Sequence, residues 1–116
     1  MHDGLLWLLG GRENWNHWRR RKNRINLSGV SLARVNLSCY DLRGVNFEGA
    51  NLRGAVLREA CMDRALLSGA DLSRADLTGA RLLRAQMFHS DCDGAVFDFA
   101  DLSEAYLTVA DMRDTT

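Results

Sequence analysis

Residues 25–114 repeat every five residues, with no insertion or deletion. In frame they read INLSG VSLAR VNLSC YDLRG VNFEG ANLRG AVLRE ACMDR ALLSG ADLSR ADLTG ARLLR AQMFH SDCDG AVFDF ADLSE AYLTV ADMRD, eighteen units in all. The third residue of each unit is large and apolar, mostly leucine, with Phe47, Met62, Met87, Cys92, Phe97 and Met112 as variants. The first is small or β-branched: mostly Ala from Ala50 onward, and Ile25, Val30, Val35, Tyr40 and Val45 before it. An α-helix would rotate successive leucines by about 140°, scattering them around the cylinder. A continuous strand would flip the leucine face at every unit, because five is odd. The pattern works if the chain turns a corner once per unit, with residues one and three pointing inward. Short repeats that cannot bury an apolar face alone imply a stacked solenoid.

Composition fits a single uninterrupted ladder. The 116 residues contain no proline, and the ten glycines fall mostly at unit ends, where a corner needs permissive backbone angles. Net charge is zero, so no global field selects nucleic acid or an anionic membrane. The charge is nevertheless polarised. Residues 1–24 carry six Lys or Arg against two acids, and residues 85–116 carry seven acids against one Arg. Cys39, Cys61 and Cys92 form no CxxC or Cys/His cluster, so no metal set, cofactor or disulfide framework is expected. The apolar stretch at residues 5–9 is too short for a membrane span or a typical secretory core, which makes a reducing cytoplasm the default.

Residues 1–24 are out of frame with the repeat. Asp3 is placed to N-cap a helix beginning at Gly4. Leu5, Leu8, Leu9, Trp15 and Trp18 form one apolar stripe if Gly10-Gly11 bends the helix rather than breaking it. Such a helix would lie over the first coil, with Trp15 and Trp18 closing the hole above Ile25, Leu27 and Leu32. The basic run Arg19-Arg20-Arg21-Lys22, followed by Arg24, reads as a solvated face near a helix C-terminus. Nucleic-acid contact is the disfavoured alternative.

The units ADLSR, ADLTG, ANLRG and ADLSE resemble the pentapeptide-repeat family, whose motif is Ala-(Asp/Asn)-Leu-X-X, and the likeness spans 90 of 116 residues. LLGGRENWNHWRR is similar to the leader before the first coil in short, cyanobacterial-type members. The resemblance implies an all-β solenoid: a right-handed quadrilateral β-helix of about 4.5 coils, four units to a coil, with an N-terminal α-helical cap. The expected organisation is a cap over residues 1–24, a β-helix over 25–114 and a tail at 115–116. Two departures stand out. Bulky residues replace Ala in the first five units, so the first coil should be fuller or wider. Cys92 replaces Leu in SDCDG, leaving less apolar volume there.

With twenty residues to a coil, residues twenty apart stack on one face. Asn26, Asn46, Leu66, Gln86 and Tyr106 then share one outward column, beside Phe88, His89 and Val109. Leu66, Phe88, Tyr106 and Val109 are the candidate interaction patch. The face opposite carries Val56, Val96 and Phe99. A third column stacks Asp71, Asp91 and Asp111, near Asp93 and Asp114, and needs Arg53, Arg74 and Arg113 to neutralise it. The fourth mixes Arg43, Arg64, Arg81 and Arg84 with Asp41, Asp63 and Asp101. At the C-terminal end Phe97, Leu102, Leu107 and Met112 are expected edge-on as a candidate interface. Either that end pairs with a second copy or partner, or a cap follows it in a longer natural chain.

No catalytic constellation emerges. His2, His17 and His89 lack a partner acid or nucleophile that the repeat does not already explain, and the second-position aspartates are expected to bond backbone at corners. The first reading is a non-enzymatic, rigid scaffold for an unidentified protein partner, with a possible homodimer through the C-terminal coil. The resemblance adds a second: some family members act on type II topoisomerases as acidic mimics of duplex DNA. The neutral charge and short shaft count against it, and a supercoiling assay discriminates. A third is a structural module with no dedicated ligand.

Overall fold

The computed structural model describes residues 3–116, apart from the side chains of Asp3 and Leu6. The repeat builds a stack of coils. Fourteen parallel bridges join residues twenty apart, running Asn26 to Asn46 to Leu66 to Gln86 to Tyr106 on one face and in the same register on the other three. Each unit from residue 25 to residue 94 ties to the next coil through three backbone bonds. Leu52 N–H donates to Asp71 O (2.7 Å), Gly54 N–H to Ser73 O (2.9 Å), and Asp71 N–H returns to Ala50 O (2.9 Å). The flats are so short that each is a single bridge rather than a strand. A five-residue unit leaves too few residues between corners for anything longer.

The corners explain the rest of the motif. Ala55 N–H closes a turn onto Leu52 O at 3.0 Å, with Gly54 at φ 67°. A positive φ at the third turn residue alone is the type II pattern. It occurs at the fifth position of every unit, in seven glycines and eleven other residues. Every Asn or Asp at the second position accepts the fourth residue's N–H, as Asn51 Oδ1 does from Arg53 (3.0 Å) and Asp76 Oδ1 from Thr78 (3.0 Å). Where the second residue is Arg81, Asp63 from the coil above supplies the acceptor to Leu83 N–H at 3.0 Å and pairs with Arg81 at 3.2 Å.

Left-handed backbone is costly for side chains branched or bulky near the chain, on the order of 1–2 kcal/mol. Phe99 adopts φ 60° while 94% exposed, so it incurs that strain without burial in return. Phe99→Gly should therefore raise stability by about 1 kcal/mol, after allowing for glycine's looser unfolded chain. Urea unfolding measures it, and a lower midpoint would contradict the strain argument.

The core is a narrow rod. Third-position residues from Leu27 to Cys92 are fully buried or nearly so, and Ala at the first position is fully buried from Ala50 to Ala95. The bulkier first coil puts Tyr40 inside, its hydroxyl donating to Leu8 O at 3.1 Å. In SDCDG the two departures from motif meet each other: Ser90 Oγ lies 3.5 Å from Cys92 Sγ and donates to Met87 O at 2.9 Å. The smaller core volume is thus filled by a satisfied hydroxyl and a thiol.

Ahead of the repeat lie helix α1 (Asp3–Leu9) and helix α2 (Arg12–Arg19). Gly11, at φ 106°, breaks the helix rather than bending it, so the apolar stripe is split between two short pieces. Leu9 falls outside that stripe and is 62% exposed. Trp7 takes its place, stacked on Trp18 at 5.7 Å. The N-cap expected at Asp3 and the histidine at His2 lie outside the described side chains, and α1 itself begins at Asp3.

Candidate interaction surfaces

The first surface is where α2 meets the first coil. Asp41 has no coil above it to complete its ladder, and three side chains of α2 stand in. Trp15 Nε1 donates to Asp41 O at 2.7 Å, and Arg19 adds a bond to the same oxygen at 3.3 Å. Asn16 Oδ1 accepts Asp41 N–H at 2.8 Å, and its Nδ2 donates to Cys39 O at 3.2 Å. Trp15 is fully buried and lies 6.4 Å from the Tyr40 ring and 5.3 Å from Trp18. Gly4 approaches so closely that an added Cβ would sit 3.0 Å from Ile25 and 3.7 Å from Trp18. The run Arg19-Arg20-Arg21-Lys22 is therefore not one solvated face. Arg19 is buried against Asp41 (3.7 Å), while the other three and Arg24 are exposed. Asn16 and Arg19 were not legible as partners of Asp41, because no periodicity links α2 to residue 41.

Asp41 is also held by two arginines, Arg19 and Arg43. Burial pushes its carboxyl up, but the bidentate hydrogen bonds from Arg43 and the Arg19 charge outweigh that and hold it below the usual carboxylate range. A depressed folded pKa contributes stability above the unfolded value, about 3.9, and loses it as pH falls through the lower folded value. Asp41→Asn should thus be less stable at neutral pH and lose less on acidification from pH 5 to pH 2. Parallel thermal melts of both proteins check this, and equal acid slopes would refute it.

The second surface is the uncharged column. Leu66 and Phe88 are half-buried, Tyr106 is 50% exposed and Val109 is 68% exposed. Phe88 and Tyr106 come from adjacent coils and stack at 5.5 Å between ring centroids. At the upper end of this face a groove of about 280 Å³ is lined by Arg24, Ile25, Asn26, Gly44, Asn46 and Leu66. On the face opposite, Val56 and Val96 are half-buried beside the exposed Phe99.

The charged faces are largely self-compensating. Asp111 pairs with Arg113 at 2.7 Å, and Asp71 accepts from Ser73, whose hydroxyl also receives Arg53 at 2.8 Å. Arg74 makes no ion pair among the described residues. Arg43 pairs with Asp41 and Arg84 with Glu104, each at 2.7 Å or less. At the far end Leu102, Leu107 and Met112 are half-buried, whereas Phe97 is only 8% exposed. Phe97 departs from its edge-on expectation: it belongs to the core against which Leu102, Leu107 and Met112 pack, and its N–H donates to Thr116 O at 3.0 Å. Among the described residues no group of three or more His, Cys, Asp or Glu is placed to hold a metal ion. Nor is any helix there long and apolar enough to cross a membrane.

A parallel β-solenoid with four short flats and left-handed corners defines a repeat-built class of protein. The pentapeptide repeats family model matches residues 23–49, 40–69, 62–91 and 90–116, and the chain belongs to that family, with its right-handed quadrilateral β-helix. Among solved structures it is similar to a pentapeptide repeat protein from the Arabidopsis thaliana thylakoid lumen, at 30% identity and TM-score 0.50, covering 80% of this chain and 68% of that one. It also matches HetL, a pentapeptide repeat protein involved in heterocyst differentiation regulation from the cyanobacterium Nostoc, at 33% identity and TM-score 0.36, covering 78% of this chain and 48% of that one. A third similarity is to QnrB1, a plasmid-mediated fluoroquinolone resistance protein, at 24% identity and TM-score 0.51, covering 72% of this chain and 42% of that one. The chain thus spans less than half the length of the latter two. No curated protein sequence gives a significant match.

Proposed function

We propose that this protein is a rigid, non-enzymatic recognition scaffold that binds a protein partner through the face bearing Leu66, Phe88, Tyr106 and Val109. The observation that carries this reading is the Phe88–Tyr106 stack, held outward on a laddered face where neither ring serves the core. Most outward repeat positions hold polar residues, with Val56, Val96 and Phe99 on the opposite face as exceptions, and a stacked pair of outward aromatics adds nothing to the core. We read residues 25–114 as a shaft of about 4.5 coils and residues 1–24 as its cap, in which Trp15 and Trp18 cover the first coil. Its free thiols suit a reducing cytoplasm.

The test uses substitutions that restore the motif. Leu66→Asp turns ALLSG into ADLSG, and Tyr106→Asp turns AYLTV into ADLTV, so both should fold at least as well as the parent. Affinity capture with the parent and the double variant should retain polypeptides on the first and lose them on the second. Identical retention on both would reject this face.

A further inference from the structure

This face, whose one acid is Glu48, is antisymmetric along the rod. Below Leu66 it is bulky, with Phe88, His89, Tyr106 and Val109 standing outward. Above Leu66 it is flat, with Gly29 and Gly49 at the corner positions that His89 and Val109 occupy lower down. The groove of about 280 Å³ lies in that flat half. Charge follows the same gradient, from six cations against two acids in residues 1–24 to seven acids against one cation in residues 85–116.

We propose that the partner of this face is a second copy of the chain, packed side by side and antiparallel about a twofold axis at Leu66. The proposal rests on the recognition reading of the same face and names its occupant. With the axis in the interface and across the rod, each row meets the row equally far on the other side of residue 66. Tyr106 then faces Asn26 and the groove, Val109 faces Gly29, His89 faces Gly49, and the Leu66 side chains meet on the axis. Tyr106, His89 and Val109 oppose smaller residues, which gives the self-complementary fit of an isologous interface, while Phe88 meets Glu48. The edge column Arg24, Gly44, Arg64, Arg84 and Glu104 sets Arg24 opposite Glu104, and each basic end lies beside the partner's acidic end. Arg64 meets its own copy, but it is exposed at the rim, where water screens the repulsion. A parallel pair would oppose ring to ring and place like-charged ends together.

The molecule measures 34 × 25 × 23 Å, so the silhouette of a whole flank, about 800 Å², is the upper limit of what one face can contribute, and it equals the share of about 800 Å² per partner in a standard interface. The arrangement is closed, so it stops at two copies rather than propagating.

Sedimentation equilibrium should give a mass near twice the 13.0 kDa of one chain. Leu66→Asp should weaken the self-association about tenfold or more, through lost apolar contact and a carboxylate pair on the axis. Its melting temperature, measured at a concentration where both proteins are monomeric, should not fall. Orientation is read by cross-linking. Ser28→Cys with Thr108→Cys should give a covalent dimer under mild oxidation, whereas Thr108→Cys alone should not. A dimer that forms as readily from Thr108→Cys alone overturns the antiparallel arrangement. A strict monomer at high concentration overturns the proposal altogether, yet leaves the recognition reading to be decided by capture on that monomer.

Discussion

Phe47→Ala should cost about 3–5 kcal/mol, read as a lower midpoint in urea unfolding. Phe47 is fully buried in the second coil, in the column of inward residues that has Leu27 above it and Leu67 below. Its neighbour at the first position is Val45, also fully buried, and from Ala50 onward that position narrows to alanine, with Ser90 the one exception. The phenyl ring therefore fills the passage from the wide first coil to the narrow shaft. The ladder holds every coil at its strand spacing, so the backbone cannot collapse into the space left behind. A domain of this size has about 5–15 kcal/mol in total, and the loss would consume a large part of it. A cost below about 1 kcal/mol would mean that the column relaxes, and that the ladder is softer than its hydrogen bonds imply.

Trp15→Ala should have a comparable total cost, about 3–5 kcal/mol, but a different distribution. It removes a fully buried indole and leaves Asp41 O without its shortest donor. Coils contact only their neighbours, so the damage should stay near the end that α2 covers. Hydrogen exchange should show lost protection in residues 25–44, with amides such as Leu72 and Leu77 keeping theirs. Trp15→Phe separates the two contributions, retaining most of the packing and losing about 1 kcal/mol for the hydrogen bond. If Trp15→Ala lowered protection evenly along the rod, the helices would be part of one cooperative unit with it.

The solenoid was legible because one period imposes every inward position at once. Leu52, Leu57, Met62 and Leu67 could each be placed without reference to the others, and the corner bonds of Asn51 and Asp76 followed from residue type and position. The twenty-residue stacking was legible only through the family likeness, since a five-residue repeat alone does not say how many units close a coil. The N-terminal segment was read less well, for a physical reason. Leu9 and Arg19 were misplaced and Trp7 was missed because a helix face is judged on an unbroken cylinder, and Gly11 starts a new axis. Asn16 and Arg19 serve backbone groups of residues 39 and 41, an arrangement no local pattern announces. Phe97 was misjudged because the core to which it belongs has Leu102, Leu107 and Met112 packed against it, and residue 116 continues the ladder beside it.

The inter-coil hydrogen bonds all point along the rod, and this gives the molecule a graduated response to tension. Pulled from one end, a coil must break its ladder to one neighbour only, and the next coil feels the load after the first has gone. Each release frees twenty residues, about 70 Å of extended chain at the usual limit per residue. Such a protein would lengthen under force in equal strides, behaving as a ratcheted tether rather than a single brittle link.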